Sequence, residues 1–211
     1  MVWALSGLIS CLSLPSEEGK FDVPLKPNLK LELRERRPLL PSGGPPPPEA
    51  GVLPSQCDDL DDGGPVNGPS CITDRISCGD TIIGHTKGGV QLYDTRFWEK
   101  KFCWPATVQH DGGDERVYRL DMPRGEWRAF VWLDTPCADL DMMAIKFNDD
   151  RCPTIDHSLP RCEAMLKKGA RNRERIELVH QGEATWYIVV EGRDDEEGAF
   201  ALHVQCRPGL Q

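Results

Sequence analysis

Residues 127–133 read WRAFVWL. Taken with a period of two, Trp127, Ala129, Val131 and Leu133 share one face, while Phe130 and Trp132 take the other. The stretch therefore reads as a β-strand with large apolar groups on both sides. The same period recurs along the chain. In VYRLDM the side chains of Tyr118, Leu120 and Met122 lie together, WYIVV aligns Trp186, Ile188 and Val190, and FALHVQC aligns Phe200, Leu202 and Val204. RIELV and MMAIKF supply two shorter candidates. Turns rich in Gly, Asp and Pro divide these segments, and no long helical period intervenes. The one helical competitor, RCEAMLKKGARNRERIEL at 161–178, contains Gly169 and Asn172 and is read as a short turn and loop. Many short strands without helices between them predict an all-β, antiparallel β-sandwich over residues 71–211.

The residues before it have a different composition. Of 18 prolines, twelve precede Cys71, and PSGGPPPPEAG at 41–51 concentrates five of them. Such density excludes a packed sheet or helix and predicts an extended, polyproline-like spacer rising about 3 Å per residue. Residues 12–70 are accordingly assigned to a disordered, proline-rich stalk. Within it, NLKLELRERR alternates Leu29, Leu31 and Leu33 with charged residues, which suits either a solvated linker or a strand that joins a sheet edge.

With 211 residues, 39% hydrophobic, the chain has material for one domain and a tail. A formal charge of −9, with no long stretch of clustered Lys and Arg to relieve it, offers no field for a phosphate backbone, so nucleic acid is excluded as an expected partner. The apolar run from Met1 to Ile9 is too short for a membrane-spanning helix, which needs about 20 residues. Its end, Leu8-Ile9-Ser10-Cys11, resembles the bacterial lipobox, in which the cysteine is lipidated and becomes the first residue of the mature protein. Residues 1–11 are thus read as an export signal with Cys11 as the lipidation site. No Lys or Arg precedes Lys20, so a positive n-region is missing from this stretch, and simple secretion or an unprocessed apolar N-terminus remain as alternatives.

CGDTIIGHT, GGDERVYRLDMP, CADLDMMAIKF and GEATWYIVVEGRDDEEGAFALHVQC follow one another in the order of the bacterial pre-peptidase C-terminal domain. The chain resembles that family over about residues 76–206. The resemblance implies a jelly-roll-like β-sandwich of the kind appended to secreted enzymes and found in surface lipoproteins. It also implies that the strand at 81–86 lies antiparallel to the last strand, which brings Cys78 and Cys206 together. Two departures stand out: Cys137, beside the acidic turn in DTPCADLDMM, and the long loop between Cys152 and Ile176.

Nine cysteines leave at least one without an intrachain partner. With Cys11 set aside for lipidation, eight remain, and export makes disulfides the expected state. Beyond Cys78–Cys206, the expected pairs are Cys152–Cys162 closing a local loop, Cys57–Cys71 pinning the stalk, and Cys103–Cys137. A zinc site is disfavoured because no CxxC or HxxxH spacing occurs.

No catalytic signature accompanies the five scattered histidines: GxSxG, HExxH, a P-loop and GxGxxG are all absent. The sequence therefore predicts no enzyme and no obligatory cofactor. Clustered carboxylates with glycines at DGGD and ADLD suit calcium, with Asp111, Asp114, Asp139 and Asp141 as ligands; solvated turns are the plainer reading. YDTRFWEKKFCWP gathers five aromatic residues, of which Trp98 and Trp104 are the candidates for stacking on a sugar or anchoring a protein. The expectation is a non-catalytic, exported and lipid-anchored β-sandwich. It would bind a cell-surface protein or polysaccharide or serve a structural role at the bacterial surface. The alternatives are a carbohydrate-binding module using Trp98 and Trp104, or an accessory domain of a secreted hydrolase encoded elsewhere.

Overall fold

A computed structural model describes Cys57 and residues 63–103, 109–159, 161–165, 169 and 172–209. Cys11, residues 12–56 and Trp104 lie outside the described residues. The chain divides into two units, Met1–Ser42 and Gly43–Gln211, and everything described belongs to the second.

The described elements are β1 (Ile72–Ile76), β2 (Thr81–His85), α1 (Thr95–Lys100), β3 (Arg116–Met122), β4 (Glu126–Thr135), β5 (Leu140–Lys146), β6 (Arg161–Met165), β7 (Asn172–Gln181), β8 (Ala184–Gly192) and β9 (Ala199–Pro208). They build a jelly-roll-like β-sandwich. One sheet has five strands in the order β1-β3-β8-β5-β6, and the other has four in the order β2-β9-β4-β7. Pairing is antiparallel throughout, except that β1 runs parallel to β3.

The alternation in WRAFVWL explains where β4 sits. Ala129, Val131 and Leu133 enter the main core together with Tyr118, Leu120, Trp186, Ile188, Phe200 and Leu202. In register, Val131 opposes Ile176 on β7 and Val204 on β9, so one apolar row crosses three strands. A shift by one residue would turn that row to the opposite face, and this fixes the register. Gly84 in β2 makes room for the core, since a Cβ there would stand 2.6 Å from the Phe200 ring.

The segment 161–178 departs from its sequence reading. It forms strands β6 and β7 rather than a turn and loop, because Ile176 and Leu178 gain burial only by continuing the four-stranded sheet. RIELV is thus the centre of a ten-residue strand. Residues 63–70, counted with the stalk by their prolines, are hydrogen-bonded to the sandwich. The Gly63 N–H donates to the Lys87 carbonyl and the Gly68 N–H to that of Ile72.

All eight cysteines from Cys57 onward form disulfides. Cys78 pairs with Cys206, as the β2–β9 adjacency requires. The other three pairs differ from expectation: Cys57–Cys137, Cys71–Cys152 and Cys103–Cys162. Short separation in sequence proved a poor guide. Cys71 precedes β1 at one edge of the five-stranded sheet, and the loop after β5 brings Cys152 to it across the outer face of that sheet. Cys103, just past α1, meets Cys162 on β6 in the same layer. These two bonds fasten a layer that strand alternation alone does not reveal.

Candidate functional site

The five-stranded sheet is covered on both faces. On its outer face Val117, Met143, Ile145, Tyr187 and Val189 form a second core with Tyr93, Phe97 and Trp98 from the α1 segment. The α1 helix is only six residues long and is held by its ends and rings. Asp94 caps it, accepting the Phe97 N–H at 2.7 Å. Tyr93, Phe97 and Trp98 pack as a triangle with ring centroids 4.6 to 5.5 Å apart. Burial of Tyr93 raises its hydroxyl pKa.

Trp98 is fully buried within this cap, contrary to its candidacy as an exposed stacking ring. The physical reason is the apolar outer face beneath it: Val117, Val189 and Met143 would otherwise face water. Trp104, the second ring of that expectation, is among the residues not described.

Under the cap lies a row of carboxyl groups. Asp141 on β5 and Glu191 on β8 are direct cross-strand partners. Glu115, immediately before β3, extends the row, and its charge acts on Glu191. All three are buried, Asp141 and Glu191 completely. Glu191 accepts the Trp98 indole N–H at 3.3 Å. Glu115 accepts the backbone N–H groups of Leu92 and Tyr93 at 3.1 and 2.8 Å, which fixes the approach to α1. Asp141 receives the Arg193 guanidinium at 2.5 Å and stands 3.2 Å from Nε2 of His110, itself fully buried. Desolvation pushes the Glu115 pKa up to about 8 against the opposing pull of its backbone donors. Glu191 is raised well above the usual carboxylate range, by burial first and by the neighbouring Glu115 second.

Three of the four aspartates proposed as calcium ligands are committed to separate protein partners. Asp111 accepts the Thr95 N–H, Asp114 accepts from Gly88 and Gln91, and Asp141 is paired with Arg193 and His110. Asp139 lies in the turn whose carbonyl receives the Arg193 N–H. Among the described residues no group of three or more His, Cys, Asp or Glu is arranged to hold a metal ion. Sequence reasoning named Asp141 only as a calcium ligand and missed Glu115, Glu191, His110 and Tyr93. The available signal was WYIVVEG, which is apolar at both parities before it reaches its glutamate and so marks a strand covered on both sides.

Outside the acid row, α1 and the loop after β5 bound a cleft of about 430 Å³ lined by Leu92, Asp94, Arg96, Phe97, Pro153 and Ile155. Leu92 is half exposed at its rim. Cys152 lines the cleft, and its bond to Cys71 ties the loop after β5 to the start of β1. A smaller hollow of about 150 Å³ lies beside Glu115, between Gln91–Asp94 and Gly112–Gly113.

No protein-family profile and no curated protein matches the chain. Among solved structures it is similar to the pre-peptidase C-terminal domain of a collagenase from Bacillus anthracis, with 14% identity, a TM-score of 0.39, and coverage of 63% of this chain and 93% of that one. It is also similar to PliG from Aeromonas hydrophila, a periplasmic inhibitor of g-type lysozyme, with 10% identity, a TM-score of 0.32, and coverage of 64% and 99%. A third is the carbohydrate-binding module TmCBM61 in complex with β-1,4-galactotriose, with 15% identity and a TM-score of 0.32, covering 45% of this chain and 62% of that one.

Proposed function

We propose that the chain is an exported binding module without catalytic chemistry, tethered to a bacterial surface through its N-terminal segment, and that the cleft beside α1 receives its ligand. The observation that carries this reading is how the buried acids are used. Glu115 and Glu191 hold the aromatic cap through Leu92 and Tyr93 and through Trp98, and Asp141 is paired with Arg193 and His110. A base turned away from the adjoining cleft cannot reach a proton on a substrate there. The cleft itself presents rings and aliphatic groups between one acid, Asp94, and one base, Arg96, which is the composition of a recognition pocket. Four disulfides spanning 59 to 128 residues support export, since such bonds persist in oxidising compartments.

The ligand class favoured is an envelope protein or polysaccharide with a small apolar protrusion. The carbohydrate reading that depended on Trp98 has lost that ring to the cap. The test is binding of the purified chain to intact cells, to envelope polysaccharide and to envelope protein, compared with Leu92→Arg, a rim substitution that leaves the buried cap in place. Loss of binding in the variant supports the cleft, and undiminished binding refutes it. Cys11→Ser tests the tether separately: it should release the folded protein from the membrane fraction, and an unchanged partition would remove lipidation from the reading.

A further inference from the structure

The turn that ends α1 runs against the preferences of its own residues. Its two closing hydrogen bonds go from the Phe102 N–H to the Glu99 carbonyl and from the Cys103 N–H to the Trp98 carbonyl, each at 3.1 Å. That pair puts Phe102 at the left-handed position where a helix end favours glycine, and its φ is 53°. A bulky side chain is strained there. The ring is also 81% exposed, so it contributes little packing to the fold. Even so, the turn is held on both sides of it. Lys101 Nζ donates to the carbonyls of Ile155 and His157, and Cys103 is bonded to Cys162. A phenyl ring is thus presented to solvent on a fixed support, the arrangement that lowers the ordering cost of an interface anchor.

We propose that Phe102 anchors a reversible two-fold dimer in which the ring of each copy enters the α1 cleft of the other, an inference that rests on reading that cleft as a recognition site. Of the four large apolar side chains exposed among the described residues, two, Leu92 and Phe102, flank the same six-residue helix. Leu92 stands at the rim of the cleft, whose apolar wall continues through Phe97, Pro153 and Ile155. An apolar cavity of about 150 Å³ admits a benzene ring, and this cleft offers about 430 Å³. Ring and cleft share one short helix, about 9 Å long, so a single two-fold axis can satisfy both contacts together, as an isologous interface requires. Charge favours this approach over others. The chain carries −9 overall, so two copies repel, yet residues 96–101 set Arg96, Lys100 and Lys101 against Glu99 alone, and the cleft supplies Asp94 to meet them.

Sedimentation velocity of the full chain over a wide concentration range tests this, with Cys11→Ser in every form so that neither a lipid nor the odd thiol joins copies. The parent should dimerise reversibly. Phe102→Ser and Leu92→Arg, both at exposed side chains, should each weaken dimerisation about tenfold or more. Mixing the two variants should restore part of it, because the ring kept by Leu92→Arg still fits the cleft kept by Phe102→Ser. Phe102→Gly should also lose the dimer while its melting temperature, measured where the parent is monomeric, rises by a few degrees, since glycine suits that turn. A parent that stays monomeric, dimers indifferent to Phe102→Ser, no recovery on mixing, or a lower melting temperature for Phe102→Gly would each overturn the inference. So would a parent that binds vesicles of anionic phospholipid through Phe102 without dimerising. A monomeric parent overturns the dimer but not the cleft reading, which fails instead if Leu92→Arg still binds envelope material undiminished.

Discussion

The indole N–H of Trp98 donates to Oε2 of Glu191 across 3.3 Å, joining a six-residue helix to the centre of the five-stranded sheet. Because Glu191 stands beside Asp141 and Glu115, its charge is set by that row as well as by burial. The folded protein therefore holds protons that the unfolded chain releases. For Glu115 the window runs from the ordinary 4.5 to about 8. Its contribution is fully present below the lower value and is lost as pH rises through the upper one. Glu191 acts in the same direction. The melting temperature should fall as pH is raised from 5 towards 9, with the cap loosening first. Glu191→Gln, which keeps an acceptor for the indole and cannot ionise, should flatten that decline. A melting temperature that climbs with pH over this range would contradict the assignment.

Trp98 contributes packing as well as its hydrogen bond. Trp98→Ala should cost about 3–5 kcal/mol, as truncation of a large buried aromatic does. Trp98→Phe should cost less, with part of the loss arising because Glu191 loses its donor. Chemical denaturation of the two variants separates these contributions. Near-equal losses would mean that the hydrogen bond, which both variants lack, accounts for most of the Trp98 contribution.

The disulfides divide by location. Cys71–Cys152 and Cys103–Cys162 fasten the cap layer, whereas Cys78–Cys206 ties the end of β2 to β9. Each encloses a long loop, and removing any one as a Cys→Ser pair should cost about 2–5 kcal/mol. The spectroscopic signatures should differ. Loss of Cys71–Cys152 should shift tryptophan emission to the red as the cap opens around Trp98, while loss of Cys78–Cys206 should lower the melting temperature with emission unchanged. Peptide mapping without reduction checks the pairing itself.

What the sequence made legible follows from what alternation can encode. Val131 and Phe130 were sorted to opposite faces of β4 correctly, because a period of two is a local property of the strand. The pairing of Cys78 with Cys206 followed from one adjacency implied by the family resemblance, and the register of β2 with β9 agrees with it. The cap was not legible. Phe97 and Trp98 are adjacent in sequence on a short helix, and nothing in their spacing shows that Val117 and Val189 on distant strands need a cover. The same blindness misassigned three disulfides: Cys152 is 81 residues from Cys71 and ten from Cys162, yet the loop that carries it crosses the sheet to the more distant partner.

Arg193 and Asp141 offer the sharpest energetic test of the acid row. The guanidinium Nε meets Oδ2 of Asp141 at 2.5 Å, with Asp141 fully buried and Arg193 nearly so. The turn that supplies Arg193 is tightly built, since a Cβ on Gly192 would fall 1.8 Å from the Glu196 carbonyl oxygen. Replacing Asp141 by Asn leaves a cation buried without its counter-charge, at a cost of about 3–5 kcal/mol. Arg193→Gln leaves the converse, a carboxylate beside Glu191 with only His110 near it. The double variant Asp141→Asn/Arg193→Gln removes both charges and should recover a substantial part of the summed loss. Urea denaturation of all four proteins gives the coupling energy. If the two single losses simply add, the pair is not coupled and the row is held by Glu115 and Glu191 alone.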